Sequence, residues 1–340
     1  MADEARGFHG ADDNEPMNST RWIANGGAVA LPFWGVIAAS GDDAVPFLHG
    51  QLSNDVVRQS PEQARLAAYC SAQGRVLASF VVIKRSPTEL WLVCSADVLA
   101  TTLKRLSMFV LRSKVMLRDA SAELQVLGLA GSSALSSTAL AGLGDAAAET
   151  WQAGARGAAH VLRLPDAEDE PRWLWIGPPG EAQALLSTLP GLSDDLWRWL
   201  DVRSGVAPVV AATAGQFVPQ MLNYELVGGV DFKKGCYPGQ EIVARSQYLG
   251  KLKRRGCLVD GPVAMQPGQE VFWSGDAQQP AGMVAWSAPH PAGGASALVE
   301  LKLSAVDDGS LHLGSAQGPL LTRVALPYAL PQEAENGRRA

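Results

Sequence analysis

One stretch of the chain combines a thiol, positive charge and chain-reversing residues. Residues 232 to 255 read FKKGCYPGQEIVARSQYLGKLKRR and hold seven Lys or Arg residues against one acid, Glu241. The formal net charge of the whole chain is −6, so the rest of the protein is markedly acidic. Because positive charge collects in this one stretch, we expect it to form a functional site.

Cys236 stands near the start of this stretch, in the string KGCYPGQE. Gly235 and Gly239 lie on either side of it, so the backbone can turn sharply and hold the thiol at a corner of the chain. Pro238 suits a first helical position, and a short helix is predicted from Gln240 to Gln247.

Within this predicted helix, Glu241 and Arg245 are four residues apart, in the order that favours a side-chain pair. Two interpretations of Cys236 then remain open. It is either a reactive or ligand-facing thiol beside Lys233 and Lys234, or a small buried hydrophobe in a tight turn whose lysines are solvated. The residues alone favour neither interpretation.

The string KGCYPGQE, followed by Arg245 and by YLGKLKRR, closely resembles the signature of the YgfZ family of folate-binding proteins. These are relatives of the T-protein, the aminomethyltransferase of glycine cleavage. The matching positions are Lys234, Gly235, Cys236, Tyr237, Gly239, Gln240, Glu241 and Arg245. The resemblance implies a tetrahydrofolate-binding accessory protein that supports the synthesis or repair of iron-sulfur clusters in client enzymes, including tRNA-modifying ones. It makes Cys236 the functional thiol, and iron-sulfur enzymes or their assembly machinery the partners.

The resemblance extends to two tryptophans. Trp34 begins an apolar stretch that is predicted to form a strand, and a tryptophan in such a strand usually lies in a core. Trp197 lies on a predicted helix, eight residues before Gly205. The resemblance assigns a folate-contacting role to both. Because a pterin ring is flat, stacking on aromatic side chains together with polar contacts at its edge would hold it.

Polar residues near the predicted first strands are candidates for these edge contacts, and the anionic glutamate tail of folate would favour the Lys/Arg stretch. The candidates are Asn54, Asp55 and Tyr69.

The chain differs from the T-protein at positions where the T-protein and its relatives have acidic residues. The segment GRVLAS places Ala78 and Ser79 where the T-protein has acids that assist transfer, and Arg203 stands where relatives have a glutamate. We therefore expect folate binding rather than aminomethyl transfer, and an accessory protein rather than an enzyme.

The elements that must position these residues follow from apolar periodicity. With 340 residues, of which 47% are hydrophobic, the chain can build two or three modest cores. Residues 21 to 112 are predicted to form a first α+β lobe, which residues 200 to 250 would complete. Its predicted elements are a strand at Trp34 to Ser40, a helix at Ala44 to Gln51, three strands within residues 66 to 94, and a helix at Ala96 to Val110.

Residues 113 to 195 are predicted to repeat this pattern as a second α+β lobe. Its predicted elements are a strand at Glu123 to Leu129, a helix at Ser132 to Leu143, strands near His160 to Leu164 and Arg172 to Ile176, and a helix at Glu181 to Leu189. Short apolar stretches between Gly and Pro turns predict a small β-barrel over residues 251 to 330. Residues 1 to 20 and 331 to 340 are predicted to be tails. The resemblance arranges the three domains around a central folate cavity, as in the T-protein.

Several classes of function are not indicated. No stretch of the sequence is apolar enough to cross a bilayer, so we expect a cytoplasmic protein without a membrane partner. The four cysteines form no CxxC pair, and no phosphate-binding glycine motif occurs. Two alternatives to the accessory role stay open: a folate-dependent one-carbon transferase and an RNA-binding module. The overall acidity makes a nucleic-acid partner the weaker of the two.

Overall fold

The fold begins with two interlocked antiparallel sheets, seen in a computed structural model that describes residues 26 to 137, 149 to 248 and 252 to 331. The first elements are β1 (Gly27–Ala30), β2 (Trp34–Ser40), α1 (Ala44–His49), β3 (Ala64–Cys70), β4 (Val76–Ser86), β5 (Glu89–Ser95), α2 (Ala96–Ser107) and β6 (Met116–Asp119). The first sheet has the strand order β3-β4-β5-β2-β6. The strand predicted at Trp34 to Ser40 is therefore confirmed to the residue.

Alternating side chains make this sheet apolar on both faces, as its period of two requires. Ile37 and Phe80 face one side, where α1 and α2 cover them with residues such as Val98. Val36 faces the other side and joins a core that extends to Trp197. The first sheet is thus the middle layer between its own helices and the rest of the molecule.

The second sheet follows the same plan, so the predicted pair of α+β lobes is confirmed. Its further elements are β7 (Gln125–Ala130), α3 (Gly131–Leu135), β8 (Ala153–Arg156), β9 (Ala159–Ala167), β10 (Glu170–Gly177) and α4 (Pro179–Thr188). Its strand order is β1-β7-β10-β9-β8. The helix predicted from Ser132 to Leu143 lies partly outside the described residues, as do the two predicted tails apart from Pro331.

The two lobes exchange strands, which sequence periodicity does not predict. β1 pairs with β7 of the second sheet, with Gly27 opposite Ala130, although it comes before the first sheet in the chain. β6 pairs with β2 of the first sheet, with Met116 opposite Ser40. The predicted boundary at residue 113 therefore does not separate the two sheets, because strand pairing is not a local property of the sequence.

Helix α5 (Asp194–Arg203) packs against β9 of the second sheet and leads the chain back towards the first. The side chain of Ser193 caps this helix by accepting a hydrogen bond from the Leu196 N–H. Residues 206 to 239 then return to the first sheet, where Val76 donates to the Phe217 carbonyl. Helix α6 (Gln240–Tyr248) follows, as predicted from residue 240.

The chain ends in a closed six-stranded barrel, which confirms the predicted C-terminal domain. Its strands are β11 (Arg254–Gly261), β12 (Glu270–Trp273), β13 (Asp276–Pro289), β14 (Ala295–Lys302), β15 (Leu311–Leu313) and β16 (Leu320–Val324). Strand β15 has only three residues, too few for apolar periodicity to show in the sequence. Helix α5 packs against β13 and β14, and so joins the barrel to the two lobes.

Candidate functional site

A cleft lies between the two sheets and the end of α5. The cleft is narrow: a water-sized sphere can enter about 50 Å³ of it, within about 520 Å³ of space between atoms that includes its open mouth. Its walls are mostly apolar. Its lining includes Trp34, Leu66, Ser79, Trp151, Arg172 and Asp201.

Trp34 supplies one aromatic wall of this cleft. It is the first residue of β2, paired with Ser95, and its indole is half-buried beside Phe33 with ring centroids 6.2 Å apart. The indole nitrogen of Trp34 is buried, and among the described residues it has no hydrogen-bond partner. A buried donor without a partner is costly, so this wall offers a ligand both a stacking surface and an N–H group.

Trp151 supplies a second aromatic wall, which the sequence did not predict. Its backbone has a φ of 69°, a left-handed conformation that is rare for a bulky residue. Its N–H donates to the Arg163 carbonyl at 2.9 Å, and its carbonyl accepts from the Ala64 N–H at 2.8 Å. Trp151 therefore holds the edges of the two sheets together while its side chain lines the cleft.

An ion pair lies at the far end of the cleft. Nη1 of Arg172, on β10, donates to Oδ1 of Asp201, on α5, at 2.7 Å, and both residues are buried. Burial raises the pKa of the Asp201 carboxyl, while Arg172 and the indole N–H of Trp197 favour its charged form. Sequence reasoning missed this pair; the only signal was an acid on the otherwise apolar side of a helix.

Trp197 lies behind this ion pair and not in the wall of the cleft. Its side chain is 0% exposed, and the guanidinium carbon of Arg172 lies 5.2 Å from the centre of its ring. It packs against Gly128, where a Cβ atom would come within 2.5 Å of the indole. The expectation that Trp34 and Trp197 close over one flat ring therefore needs correction, because Arg172 and Asp201 line the cleft and the fully buried Trp197 does not.

The edge contacts expected from Asn54 and Asp55 have structural partners instead. The Asn54 amide donates to the carbonyls of Leu66 at 2.8 Å and Gly228 at 2.6 Å, and its oxygen accepts from the Asp55 N–H. Asn54 lies in a neighbouring pocket that shares Leu66 and Trp151 with the cleft. Asn54 thus joins the first sheet to the 228 loop, and its amide has little capacity left for a ligand.

Asp55 is buried away from the cleft and pairs with Arg58 at 2.5 Å and with His49 at 3.3 Å. Burial raises its pKa, but the hydrogen bonds from Arg58 outweigh that effect and lower it to about 2. Tyr69 is buried with Ile37 on the face of β3 that points away from the cleft-lining Leu66. The three expected edge contacts therefore do not line the cleft, because the strand period places Tyr69 on the opposite face and local ion pairs hold Asp55.

In the KGCYPGQE segment, Lys234 is an internal anchor. It is buried, and its ammonium donates to the carbonyl of Leu52 at 2.6 Å and to that of His49. Burial lowers its pKa to about 8. Its cation lies 5.1 Å from the centre of the buried Tyr237 ring. Lys234 thus fixes the segment to the end of α1 and is not available to an anionic ligand.

The corner predicted around Cys236 is present. Gly239 has a φ of 78° and lies so close to the Gly74 turn that a Cβ atom would be 2.6 Å from the Gly74 backbone. Cys236 is exposed, whereas the other three cysteines are buried. It is not among the residues that line the cleft. The structure thus rejects the buried-hydrophobe interpretation of Cys236, and it places the thiol on the surface.

The remaining motif residues lie at the start of α6. Gln240 donates its backbone N–H to the Tyr237 carbonyl at 3.2 Å. Glu241 and Arg245 are both exposed, and Gly235 lies beside the His49 imidazole. These residues form the outer face of the corner on which Cys236 stands.

The Lys/Arg stretch is less positive at the surface than its sequence suggests. Arg254 pairs with Glu300, and Arg255 pairs with Glu225. Lys234 is buried, as described above, and Lys251 lies outside the described residues. Ion pairing inside the fold therefore removes much of the charge that predicted an anion-binding surface.

Comparison with known proteins gives the family. No family model matches the chain. A protein of Colwellia psychrerythraea named tRNA-modifying protein YgfZ is 31% identical over 322 residues, which is 90% of this chain and 94% of the relative. A protein of the same name from Photobacterium profundum is 32% identical over 312 residues, 89% of this chain and 91% of the relative. The chain belongs to the YgfZ family.

The fold of this YgfZ-family protein also occurs in a solved structure. The crystal structure of glycine cleavage system aminomethyltransferase T from Bartonella henselae superposes with a TM-score of 0.69. It covers 88% of this chain and 85% of that chain, at 17% sequence identity. The expected T-protein-like fold is confirmed, and at this identity the likeness concerns the fold alone. Within the described residues, no helix is long and apolar enough to cross a membrane.

The positions at which this YgfZ-family chain departs from the acids of its relatives have defined roles. Ala78 is buried under the helices of the first lobe. Ser79 lines the cleft, and its hydroxyl accepts from the Val209 N–H at 2.9 Å. Arg203 lies outside the cleft, in ion pairs with Glu168 and, at 3.4 Å, with Asp260. The cleft nevertheless holds one carboxyl group, that of Asp201.

Proposed function

We propose that this protein binds tetrahydrofolate in the central cleft and acts as an accessory protein in tRNA modification, supporting iron-sulfur clusters in its client enzymes. The observation that carries the folate proposal is the cleft itself. It has two indole walls, Trp34 and Trp151, and buried polar atoms that are not fully used within the protein. Such a site suits a flat heterocycle with polar edges.

The walls determine which part of folate would enter. The pterin ring is the flat, polar-edged part and would lie between the indoles, where apolar side chains exclude water. The glutamate tail is anionic and flexible, and would leave through the mouth. There the neighbouring pocket carries Arg65 beside Asn54 and Gln63, and so offers a cation to the tail.

The role in tRNA modification and iron-sulfur chemistry rests on different support. Curated relatives that align with most of the chain are named tRNA-modifying proteins. Cys236 is exposed on a corner that Lys234 and Gly239 fix in place. An exposed thiol can meet a partner protein or a cluster ligand, whereas a ligand of the cleft would not touch it. Folate and thiol therefore act at separate places.

Calorimetric titration with tetrahydrofolate tests the folate proposal. Wild-type protein is expected to bind, and Trp34→Ala to lose about tenfold or more in affinity, because a stacked aromatic pair and its buried area contribute 1 to 2 kcal/mol, roughly. Trp273→Ala is the matched control, since Trp273 lies in the barrel, on β12. Wild-type protein that does not bind tetrahydrofolate would refute the folate role.

Complementation of a gene deletion tests the thiol. Cys236→Ser is expected to fail in restoring cluster-dependent enzymes and tRNA modification, while its folate affinity stays within about twofold of the wild type. Cys257→Ala is the control, because Cys257 is buried in the barrel. Full complementation by Cys236→Ser would show that the Cys236 thiol is not required for the function.

Aminomethyl transfer is a second candidate, favoured by one observation. Asp201 brings a carboxyl group into the cleft of a T-protein-like fold. Burial raises the pKa of this carboxyl, which suits proton transfer, whereas the ion pair with Arg172 favours the charged form and a fixed contact. Formation of methylenetetrahydrofolate from an aminomethyl donor, abolished in Asp201→Asn, would establish the transferase.

A further inference from the structure

Burial of the Arg172–Asp201 ion pair costs more free energy than burial of a neutral contact between β10 and α5 would. Both charges are buried, and removing charges from water costs several kcal/mol, roughly, for each ion. Nη1 of Arg172 donates to Asp201 Oδ1, and its Nε and Nη2 both donate to the Pro165 carbonyl at 3.2 Å. The guanidinium is therefore held from two sides, and it fixes one carboxylate oxygen in place.

The second oxygen of this carboxylate, Oδ2, accepts no hydrogen bond from Arg172. Among the described residues, Asp201 Oδ2 is buried without a hydrogen bond of normal geometry, and so is the indole nitrogen of Trp197. The Trp197 N–H lies close enough to Asp201 to favour its charged form, but the two groups do not have the geometry of a hydrogen bond. A carboxylate only accepts hydrogen bonds, so Oδ2 has capacity for an N–H donor.

We infer that Asp201 recognises the amino edge of the pterin ring, where the 2-amino group and the adjacent ring N–H stand side by side. This inference rests on the proposed folate function and names the contact that orients the ring. Oδ2 can accept an N–H of this edge while Oδ1 keeps its hydrogen bond from Arg172, and a hydrogen bond to a charged group is about twice as strong as a neutral one. Arg172 is then a positioning residue.

The same arrangement gives Trp197 a role that does not require contact with folate. Its ring supports Arg172 at 5.2 Å, and its N–H faces Asp201 from behind the cleft. Trp197 is therefore a positioning residue for the carboxylate. Removal of its N–H should weaken recognition of the amino edge, and removal of its ring should loosen the whole pair.

The test compares two ligands by calorimetry: tetrahydrofolate, and the analogue in which a methyl group replaces the 2-amino group. Wild-type protein is expected to bind the analogue about 10- to 100-fold more weakly, the usual range for loss of a charge-assisted hydrogen bond. Asp201→Asn is expected to lose a similar factor for tetrahydrofolate, with little further loss for the analogue. Equal loss for both ligands, or no loss for either, would overturn the inference.

Asp201→Asn leaves the buried Arg172 without its counter-charge, so we expect this variant to be less stable. The comparison of the two ligands on wild-type protein needs no variant, so it tests the inference even if Asp201→Asn does not fold. If wild type binds both equally, the inference fails and the folate function stands; if it binds neither, both fail. Trp197→Phe adds a third arm: we expect a several-fold loss for tetrahydrofolate only, whereas a purely structural role would weaken both ligands.

Discussion

Gly128→Ala tests directly whether Trp197 acts from behind the cleft. Gly128 lies in the middle of β7, and a Cβ atom added there would come within 2.5 to 2.7 Å of three indole atoms of Trp197. Ordinary van der Waals contact is 3.4–4 Å, so the indole would have to move by about 1 Å. The indole is 0% exposed, so neighbouring residues enclose it.

Overpacking of a well-packed core by one methyl group costs about 1 to 3 kcal/mol. We expect Gly128→Ala to lower the free energy of unfolding by that amount in urea titrations. Because Trp197 supports Arg172, the same shift should displace the carboxylate of Asp201 and weaken tetrahydrofolate binding several-fold. No atom of Gly128 lines the cleft, so the loss of affinity would be transmitted through the indole.

Gly180→Ala is the matched control, since Gly180 lies in α4, is exposed, and has nothing within 4 Å of the place that an alanine Cβ would take. Alanine is the better helix former by up to about 1 kcal/mol, so this variant should be as stable as the wild type or more so. A second control, Gly128→Ala with Trp197→Leu, should cost less than the sum of the single changes, because the smaller side chain makes room. Unchanged stability and affinity in Gly128→Ala would refute the close packing described for Trp197.

Three further predictions follow from the ion pairs and buried groups. The pKa of Lys234 is about 8 in the folded protein, against 10.5 for an ordinary lysine, so between these values the unfolded chain binds more protons and this group's contribution to stability rises with pH. The urea midpoint of the wild type should therefore rise relative to that of Lys234→Met from about pH 8 to pH 10. A difference between the two midpoints that stays flat or falls over this range would contradict the burial of the ammonium. The folded pKa of Asp55 is about 2, below its ordinary value of 3.8, so its stabilisation is present above the ordinary value and lost as the pH falls to about 2. Asp55→Asn should thus be less stable than wild type at neutral pH by about 1 kcal/mol and equally stable near pH 2, and an equal deficit at both pH values would refute the assignment. Trp151→Gly should relieve the left-handed backbone but remove one wall, so tetrahydrofolate affinity should fall while the free energy of unfolding changes less than for Trp34→Ala; unchanged affinity would exclude Trp151 from the site.

Local periodicity predicted much of this fold because the elements are strongly patterned. The strand Trp34–Ser40 alternates apolar residues between two buried faces, and α6 begins at Gln240 after a proline and a glycine, as the sequence indicates. Helix α1 ends at His49, two residues before the prediction, since Gly50 and Gln51 already form the following turn. The exchange of β1 and β6 between the sheets was not predictable, because only tertiary pairing decides which edge a short strand joins.

The candidate site was predicted in part, and the missed residues share a physical cause. Trp34 and the exposed Cys236 carry signals in their surrounding motifs, whereas Trp151, in the segment ETWQAG, gives no sign of its left-handed backbone. Arg172 and Asp201 are 29 residues apart and meet only when α5 packs against the second sheet. Neither residue stands in a motif, so composition and spacing could not bring them together.

The position of bound tetrahydrofolate tests most directly whether a flat heterocycle lies in the cleft between the two sheets. A crystal structure of the complex is expected to show the pterin ring against the indole of Trp34, with its amino edge towards Asp201 and Trp197 not in contact with it. Folate bound beside Cys236, or on the surface of the Lys/Arg stretch with the cleft closed, would contradict the account.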